Sequence, residues 1–104
     1  MTLDEYQAAA TQTASYRLDL MYALAKLTAE AGEALQLQCK QTYHDKPYDG
    51  ADMIEELGDC MWYLALAAHK LGVTLDDIAA ANIAKLRARH GDTYNAAHYT
   101  GEAR

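Results

Sequence analysis

The segment from Ala51 to Leu71, ADMIEELGDCMWYLALAAHKL, decides the fold, because two different patterns run along it. A regular 3-4-3-4 spacing of apolar residues predicts an α-helix with one continuous hydrophobic seam. The seam consists of Ile54, Leu57, Met61, Leu64, Ala68 and Leu71. Glu56, Asp59 and Tyr63 fall on the opposite side of the same helix, where Trp62 and Leu66 lie nearby. A helix that is apolar on most sides is expected to pack between partners, and acids embedded in it are expected to have a function.

A second acid pair, Glu30 and Glu33, precedes this segment in a helix that we predict over about residues 17–40. The apolar stripe of that helix consists of Leu20, Leu24, Leu27, Ala31 and Ala34. The two glutamates fall on the border of the stripe. Residues three apart share one helix face, so two adjacent helices would bring Glu30, Glu33, Glu56 and Asp59 together. The alternative is that both pairs lie on the solvated faces of ordinary amphipathic helices.

Four converging carboxylates repel one another, and removing them from water adds to the cost, so such a cluster normally needs a cation. A ligand set made only of oxygen atoms favours a hard ion such as Mg²⁺, with Mn²⁺ or Ca²⁺ as further choices, over zinc. The spacing of the acids therefore predicts a divalent-metal site.

The remaining helix boundaries follow from capping signals. Thr2 and Glu5 have capping-box spacing, which predicts a first helix that starts near Leu3 and weakens around residues 11–15. Residues 41–50, with the only proline, are predicted to be a loop that ends in a turn signal. Asp49 is expected to cap the third helix. Thr74 is expected to cap a fourth helix, from about Leu75 to His90, that stops at Gly91.

The fourth helix carries two basic residues and an amide, Asn82, Lys85 and Arg89, along one side. We expect this side to face inward, where the four acids, or an anion held by them through a metal ion, would be the counter-charges. The alternative is that these side chains extend to solvent from the edge of the core.

Composition narrows the functional class. The chain has 104 residues, a net charge of −6 and two cysteines, Cys39 and Cys60. Its acidity argues against a nucleic-acid or anionic-membrane binder, whose surface would be basic. The sequence contains neither a signal-peptide pattern nor an apolar run of the roughly 18 residues that span a bilayer. We expect one cytoplasmic domain over residues 1–104 with reduced thiols, in which residues 92–104 form a polar C-terminal tail.

Three stretches resemble the MazG-type all-α nucleoside triphosphate pyrophosphohydrolases. They are AEAGEA at 29–34, EELGDCMWYLA at 55–65 and NIAKLRAR at 82–89. The metal signature of this family is written E-E-x-x-E followed by E-x-x-D. Here Ala29 occupies the first position, so that the matching acids are Glu30, Glu33, Glu56 and Asp59.

The resemblance implies an all-α, antiparallel bundle of about four helices that is completed by oligomerisation, as a homodimer or a dimer of dimers. It implies hydrolysis of a nucleoside triphosphate to monophosphate and pyrophosphate with Mg²⁺. The four matching acids would hold the metal, and Glu30 or Glu33 would accept the proton of the attacking water. Asn82 and Lys85 match the N-x-x-K-L segment that would contact the substrate, and Arg89 extends it.

Two other functions are compatible with parts of the same pattern. A non-catalytic helical module that binds a nucleotide or a protein would also need the apolar seams, and it would explain the missing acid at Ala29. A di-iron carboxylate bundle is disfavoured, because that site needs Glu-x-x-His on two helices and no glutamate here has a histidine three residues later.

Overall fold

Four α-helices make up the regular structure of residues 1–93, which are the residues that this computed structural model describes. The helices are α1 (Leu3–Thr11), α2 (Leu20–His44), α3 (Gly50–Leu71) and α4 (Leu75–His90). The prediction of an all-α fold with four helices is therefore confirmed for this part of the chain. None of the described helices combines the length and apolar character that crossing a bilayer requires. Most of the tail predicted over residues 92–104 lies outside the described residues.

Side-chain caps fix the start of each helix. Thr2 and Thr74 form the two predicted capping boxes, and Asp49 caps α3 by accepting a hydrogen bond from the Ala51 amide. α2 begins at Leu20 instead of near Arg17, because the Asp19 carboxylate accepts a hydrogen bond of 2.8 Å from the Tyr22 amide. This cap was not predicted, and it sets the true first turn of α2.

The prediction of a loop over residues 41–50 is wrong for the first four of these residues, which continue α2 to His44. Two side-chain contacts stabilise the end of the helix, although this stretch is polar. The Gln38 amide donates to Thr42 Oγ1 at 3.0 Å, and the Tyr48 hydroxyl folds back to donate to Gln38 Oε1 at 2.6 Å. Asp45, with a φ of 51°, then ends the helix in a left-handed conformation.

The core is small and consists largely of alanines, which allow the helices to approach closely. Its buried members are Ala10, Ala23, Ala65, Leu66, Ala67, Ala68 and Leu75. α2 packs along α3, whereas α1 and α4 pack on the last turns of α3 and on each other. The amide of Gln7 in α1 ties these elements together: it donates to the Val73 carbonyl at 3.0 Å and accepts from the Leu75 amide at 2.6 Å.

The predicted apolar seam of α3 is mostly exposed in the single chain. Ala68 is buried, but Ile54 is 72% exposed, and Leu57, Met61, Leu64 and Leu71 are also exposed. α3 is thus covered on its acidic side and open on its apolar side. The predicted stripe of α2 needs a similar correction, because Leu24 and Ala31 are exposed whereas Ala23 and Glu30 are buried. Glu30 therefore lies within the contact face of α2, and its predicted place on the border of the stripe is wrong.

Candidate metal centre

The facing sides of α2 and α3 carry the four predicted acids. The helices run antiparallel: Tyr22, at the start of α2, packs on Tyr63, toward the end of α3, with their ring centroids 6.2 Å apart. Glu33, further along α2, approaches Glu56 in the first half of α3. The side chains on the α2 side of this contact are, in order, Tyr22, Lys26, Glu30 and Glu33, and those on the α3 side are Tyr63, Asp59 and Glu56.

Three of the acids form a compact group. One carboxylate oxygen from each of Glu30, Glu33 and Glu56 lies within 4.8 Å of the others. We call these three residues the carboxylate cluster. Asp59 is exposed and adjoins the cluster, since it borders with Glu30 a cavity of about 340 Å³. The structure therefore brings residues from both predicted pairs together across the helix contact.

The cluster is electrostatically strained without a cation. Burial is the largest cause that raises the pKa of Glu30. The charge of Glu33, a hydrogen bond with Glu33 and the charge of Asp59 raise the pKa of Glu30 further, while the charge of Lys26 lowers it. Burial likewise raises the pKa of Glu56, to which Glu33 again contributes through a hydrogen bond and its charge. The environment of both glutamates therefore shifts their equilibrium toward the protonated form, and a bound positive charge would oppose that shift.

The residues present fit a divalent cation. Among residues 1–93, Glu30 Oε2 and Glu56 Oε2 are buried without any hydrogen-bond partner, although a buried carboxylate oxygen normally has one. These two unpartnered oxygens lie on side chains from different helices that also approach Glu33. A hard ion with oxygen ligands would satisfy both oxygens and offset the repulsion between the three charges. The donor set contains only oxygen, which suits Mg²⁺ or Mn²⁺ better than zinc.

Aromatic side chains line the cavity on the side away from Glu33. Trp62 and Tyr63 border it, with their rings in an edge-to-face contact at 4.9 Å. The Trp62 indole N–H donates to Thr13 Oγ1 at 2.9 Å, which anchors the ring to the turn that follows α1. Burial, and next a hydrogen bond with Tyr22, raise the pKa of Tyr63 above its ordinary value. The cavity is thus lined by carboxylates on one side and by aromatic rings on the other.

The three predicted substrate residues of α4 are placed differently from our expectation. Asn82, Lys85 and Arg89 are all exposed, so the expectation that they face inward is wrong for the single chain. Their helix packs on α1 and α3 through Leu75 at its start. Asn82 borders a separate, apolar cavity of about 280 Å³ beside the exposed seam of α3. This leaves both basic side chains available to an anion outside the chain.

Lys26 and Tyr22 were not among the predicted site residues, although both contact Tyr63 from the face of α2 that meets α3. The signal was present, because Tyr22, Lys26 and Glu30 follow one another at intervals of four residues and must share a helix face. Lys26 Nζ lies 3.9 Å from Glu30 Oε1, and 5.8 Å from the centroid of the Tyr63 ring. Cys39 and Cys60 are both free thiols, as predicted.

Comparison with known proteins identifies the family of the chain. A 36% identical relative, "Gene 37 protein" of Mycobacterium phage L5, aligns with this chain over 104 alignment positions, which cover 86% of this chain and 89% of the phage protein. No solved structure matches the chain significantly. The family model described as the MazG nucleotide pyrophosphohydrolase domain matches residues 19–94, a stretch that begins at the cap of α2 and contains all four acids and the basic residues of α4. The chain therefore belongs to the MazG nucleotide pyrophosphohydrolase family.

Proposed function

We propose that this protein is a Mg²⁺-dependent nucleoside triphosphate pyrophosphohydrolase. It cleaves the bond between the α-phosphorus and the oxygen that bridges it to the β-phosphorus, and a water oxygen replaces that bridge. The products are a nucleoside monophosphate and pyrophosphate. The observation that carries the proposal is the carboxylate cluster, whose buried oxygens on Glu30 and Glu56 lack partners in the described residues. Membership of the family makes the substrate class a nucleotide.

The acids have distinct roles in this proposal. Glu30, Glu33, Glu56 and Asp59 hold the ion, with Mn²⁺ as a substitute for Mg²⁺. When bound, the ion supplies positive charge that offsets the charge on the phosphates and makes water a better nucleophile at neutral pH. Glu30 or Glu33 accepts the proton that the attacking water loses.

Substrate binding is assigned to the polar side of α4. Asn82 and Lys85 contact the nucleotide, and Arg89 adds a second positive charge for the departing pyrophosphate. Their exposure supports this assignment, since an anion can approach them without displacing core residues. Guanidinium and ammonium groups are the usual protein partners of phosphate oxygens.

The partner of each subunit is a second copy of the chain, as a homodimer or a dimer of dimers. The exposed seam of α3 supports this, because large apolar side chains in a row on one helix are costly in water. The small alanine core points the same way, since a chain of this size gains stability from a large interface. The cellular role that we propose is the removal of unwanted nucleotides from the cytoplasmic pool, without binding to nucleic acid or membrane.

The test is a pyrophosphate-release assay on purified protein with Mg²⁺ and a panel of ribo- and deoxyribonucleoside triphosphates. We expect turnover of at least one nucleotide and its abolition by chelation of the metal. Glu56→Gln should lower kcat/KM by about a hundredfold or more, since even groups that only orient a metal ligand contribute about 10- to 100-fold. Glu55→Gln is the matched control, because Glu55 is the exposed neighbour on the same helix and lies outside the carboxylate cluster. Full activity in Glu56→Gln would overturn the assignment.

The alternative is a non-catalytic nucleotide-binding or protein-interaction module, which the alanine at position 29 favours. Calorimetry separates the two functions. Mg²⁺-dependent binding of a triphosphate that stays intact for hours would support the module, whereas release of pyrophosphate would support the enzyme.

A further inference from the structure

Trp62 gives the cavity beside the carboxylate cluster an aromatic side that metal binding does not use. The cavity has a volume of about 340 Å³ and is bordered by Glu30, Asp59, Trp62 and Tyr63. This volume lies within the range of about 300–1,000 Å³ that is usual for small-molecule pockets. A divalent ion is far smaller and needs only the carboxylate side of the cavity. The space beside the rings is therefore left for another part of a ligand.

Packing and one hydrogen bond hold the Trp62 ring in a fixed orientation. The ring packs on both clusters of buried core residues and is itself only partly buried. Its indole N–H donates to Thr13 Oγ1 at 2.9 Å, so the polar edge of the ring already has a partner. What the ring offers to the cavity is therefore apolar, aromatic surface. A ring that is held in place before a ligand arrives loses little conformational entropy on binding.

Tyr63, the other ring at this cavity, is more fully occupied. Lys26 Nζ lies over the Tyr63 ring, 5.8 Å from its centroid, and the Tyr22 ring lies 6.2 Å away. Within residues 1–93, the ring of Trp62 has Tyr63 as its aromatic neighbour and no cation over it. The Trp62 and Tyr63 rings meet at 82°, so a flat group can lie parallel to one ring and against the edge of the other. Trp62 is thus the ring with surface available for stacking.

We propose that Trp62 is the base-stacking residue of this site, against which the base of a nucleoside triphosphate lies while its phosphates extend toward the carboxylate cluster. The ligand class rests on the proposed function. The two sides of the cavity match the two ends of a nucleotide, because the base is flat and uncharged whereas the triphosphate is anionic and needs the metal ion. Stacking tolerates every base, since each has a π-face. Trp62 therefore favours a nucleotide over bare polyphosphate without selecting one base.

The first experiment uses the fluorescence of Trp62, which is the only tryptophan of the chain. Wild-type protein in saturating Mg²⁺ is titrated with the α,β-imido analogues of dATP, dCTP, dGTP and dUTP, whose bridging nitrogen resists cleavage. Inorganic tripolyphosphate is the matched probe without a base. We expect at least one analogue to quench the indole fluorescence, because a stacked base contacts the ring, and tripolyphosphate to leave it unchanged. Quenching by none of the analogues, or equal quenching by tripolyphosphate, would overturn the inference.

The second experiment measures the affinity of the same probes for variants by calorimetry. Trp62→Leu should bind the tightest analogue about 10- to 100-fold more weakly, which is the usual contribution of a base stacked on an aromatic side chain. Its affinity for tripolyphosphate should equal that of the wild type. Trp62→Phe should lose less analogue affinity, because phenylalanine retains a ring. Val73→Ala is the packing control, since Val73 packs on the same buried cluster as Trp62 but does not border the cavity, and it should bind both probes normally.

A purely structural role of Trp62 would give different results. Equal losses for the analogue and tripolyphosphate in Trp62→Leu, or the same loss of analogue affinity in Val73→Ala, would overturn the inference, as would unchanged analogue binding in Trp62→Leu. If Trp62→Leu does not fold, the quenching of the wild type decides. These results are independent of turnover. If no nucleotide is hydrolysed but an analogue still quenches Trp62, the proposed hydrolysis fails and the stacking contact stands. If hydrolysis is normal and no analogue quenches Trp62, only the inference fails.

Discussion

At the residue scale, the defining feature is a pair of buried carboxylate oxygens, Glu30 Oε2 and Glu56 Oε2, that have no partner in the described residues. Burial and neighbouring acids raise the pKa of both glutamates, so the charged forms of these two side chains destabilise the folded protein. A site of this kind is arranged for a cation that the chain itself does not supply. This strain should be visible as a dependence of stability on pH and on metal.

The metal-free protein should become more stable as the pH falls toward the raised pKa values of Glu30 and Glu56. The folded state then binds more protons than the unfolded state, so the free energy of unfolding decreases as the pH rises through that window. Thermal unfolding in chelator, compared at about pH 5 and at neutral pH, tests this sign. Added Mg²⁺ should raise Tm more at the higher pH, where the acids have lost their protons. A Mg²⁺ effect that is the same at both values would contradict it.

Glu56→Gln provides a second test of the same strain. An uncharged amide removes the repulsion with Glu30 and Glu33, so the metal-free variant should melt at a higher temperature than the wild type near neutral pH. The rise in Tm on adding Mg²⁺ should be largely lost, because one ligand is missing. Glu55→Gln should change neither quantity. A metal-free Glu56→Gln that melts below the wild type would mean that the cluster is not strained.

At the scale of elements, α1 holds the end of α3 and the start of α4 in place through one side chain. The Gln7 amide is buried and uses both its donor and its acceptor across the turn between these helices. The bond from the Leu75 amide satisfies one of the free N–H groups at the start of α4. α1 thereby fixes where α4 leaves α3, and with it the position of the basic residues that we assign to substrate.

Gln7→Ala should lower the free energy of unfolding by about 2 kcal/mol, because it leaves the Val73 carbonyl and the Leu75 amide buried without partners. Urea denaturation at a fixed protein concentration measures the change. Gln12→Ala is the control, since Gln12 is an exposed glutamine at the end of the same helix. Equal stability of the two variants would show that the contact contributes nothing specific.

At the scale of the whole molecule, α3 of the single chain is covered by α2 on one side and exposed to solvent on the other. The side of α3 that meets α2 holds the site, whereas its opposite side exposes a row of large apolar residues, two of which, Met61 and Leu64, border a cavity together with Ile78 of α4. A core built mostly from alanines contains few large side chains, and Leu66 is the largest that is fully buried. The oligomer that we propose would bury the open face of α3.

Ile54→Glu should convert the oligomer to a smaller species. Ile54 is the most exposed residue of the seam, so a charge there costs the single chain little but opposes burial in an interface. Light scattering after size exclusion measures the mass. Tyr16→Glu is the control, because Tyr16 is equally open but precedes α2, away from the seam. A wild type that is monomeric would refute the oligomer, and an unchanged mass in Ile54→Glu would exclude the seam as its interface.

The spacing of the sequence predicted three of the four helix starts and missed the Asp19 cap of α2. Thr2, Asp49 and Thr74 were recognised as caps and start their helices as expected, because a cap acts on an amide within three residues. The predicted end of α2 came four residues too early. The observed end depends on Tyr48, which folds back onto Gln38 from the loop between α2 and α3. Such a contact has no local signature.

The sequence by itself determined that the chain is helical and which faces carry acids, because helical periodicity places residues three and four apart on one side. It also determined the family, through three motifs in a fixed order. Only the tertiary structure decided that the acidic face of α3, and not its apolar seam, packs on α2, and that Glu30 is buried while the basic residues of α4 are exposed. Periodicity defines the faces of each helix, but which face meets a neighbour depends on how all the helices pack, and a seam reserved for another chain looks the same as a core.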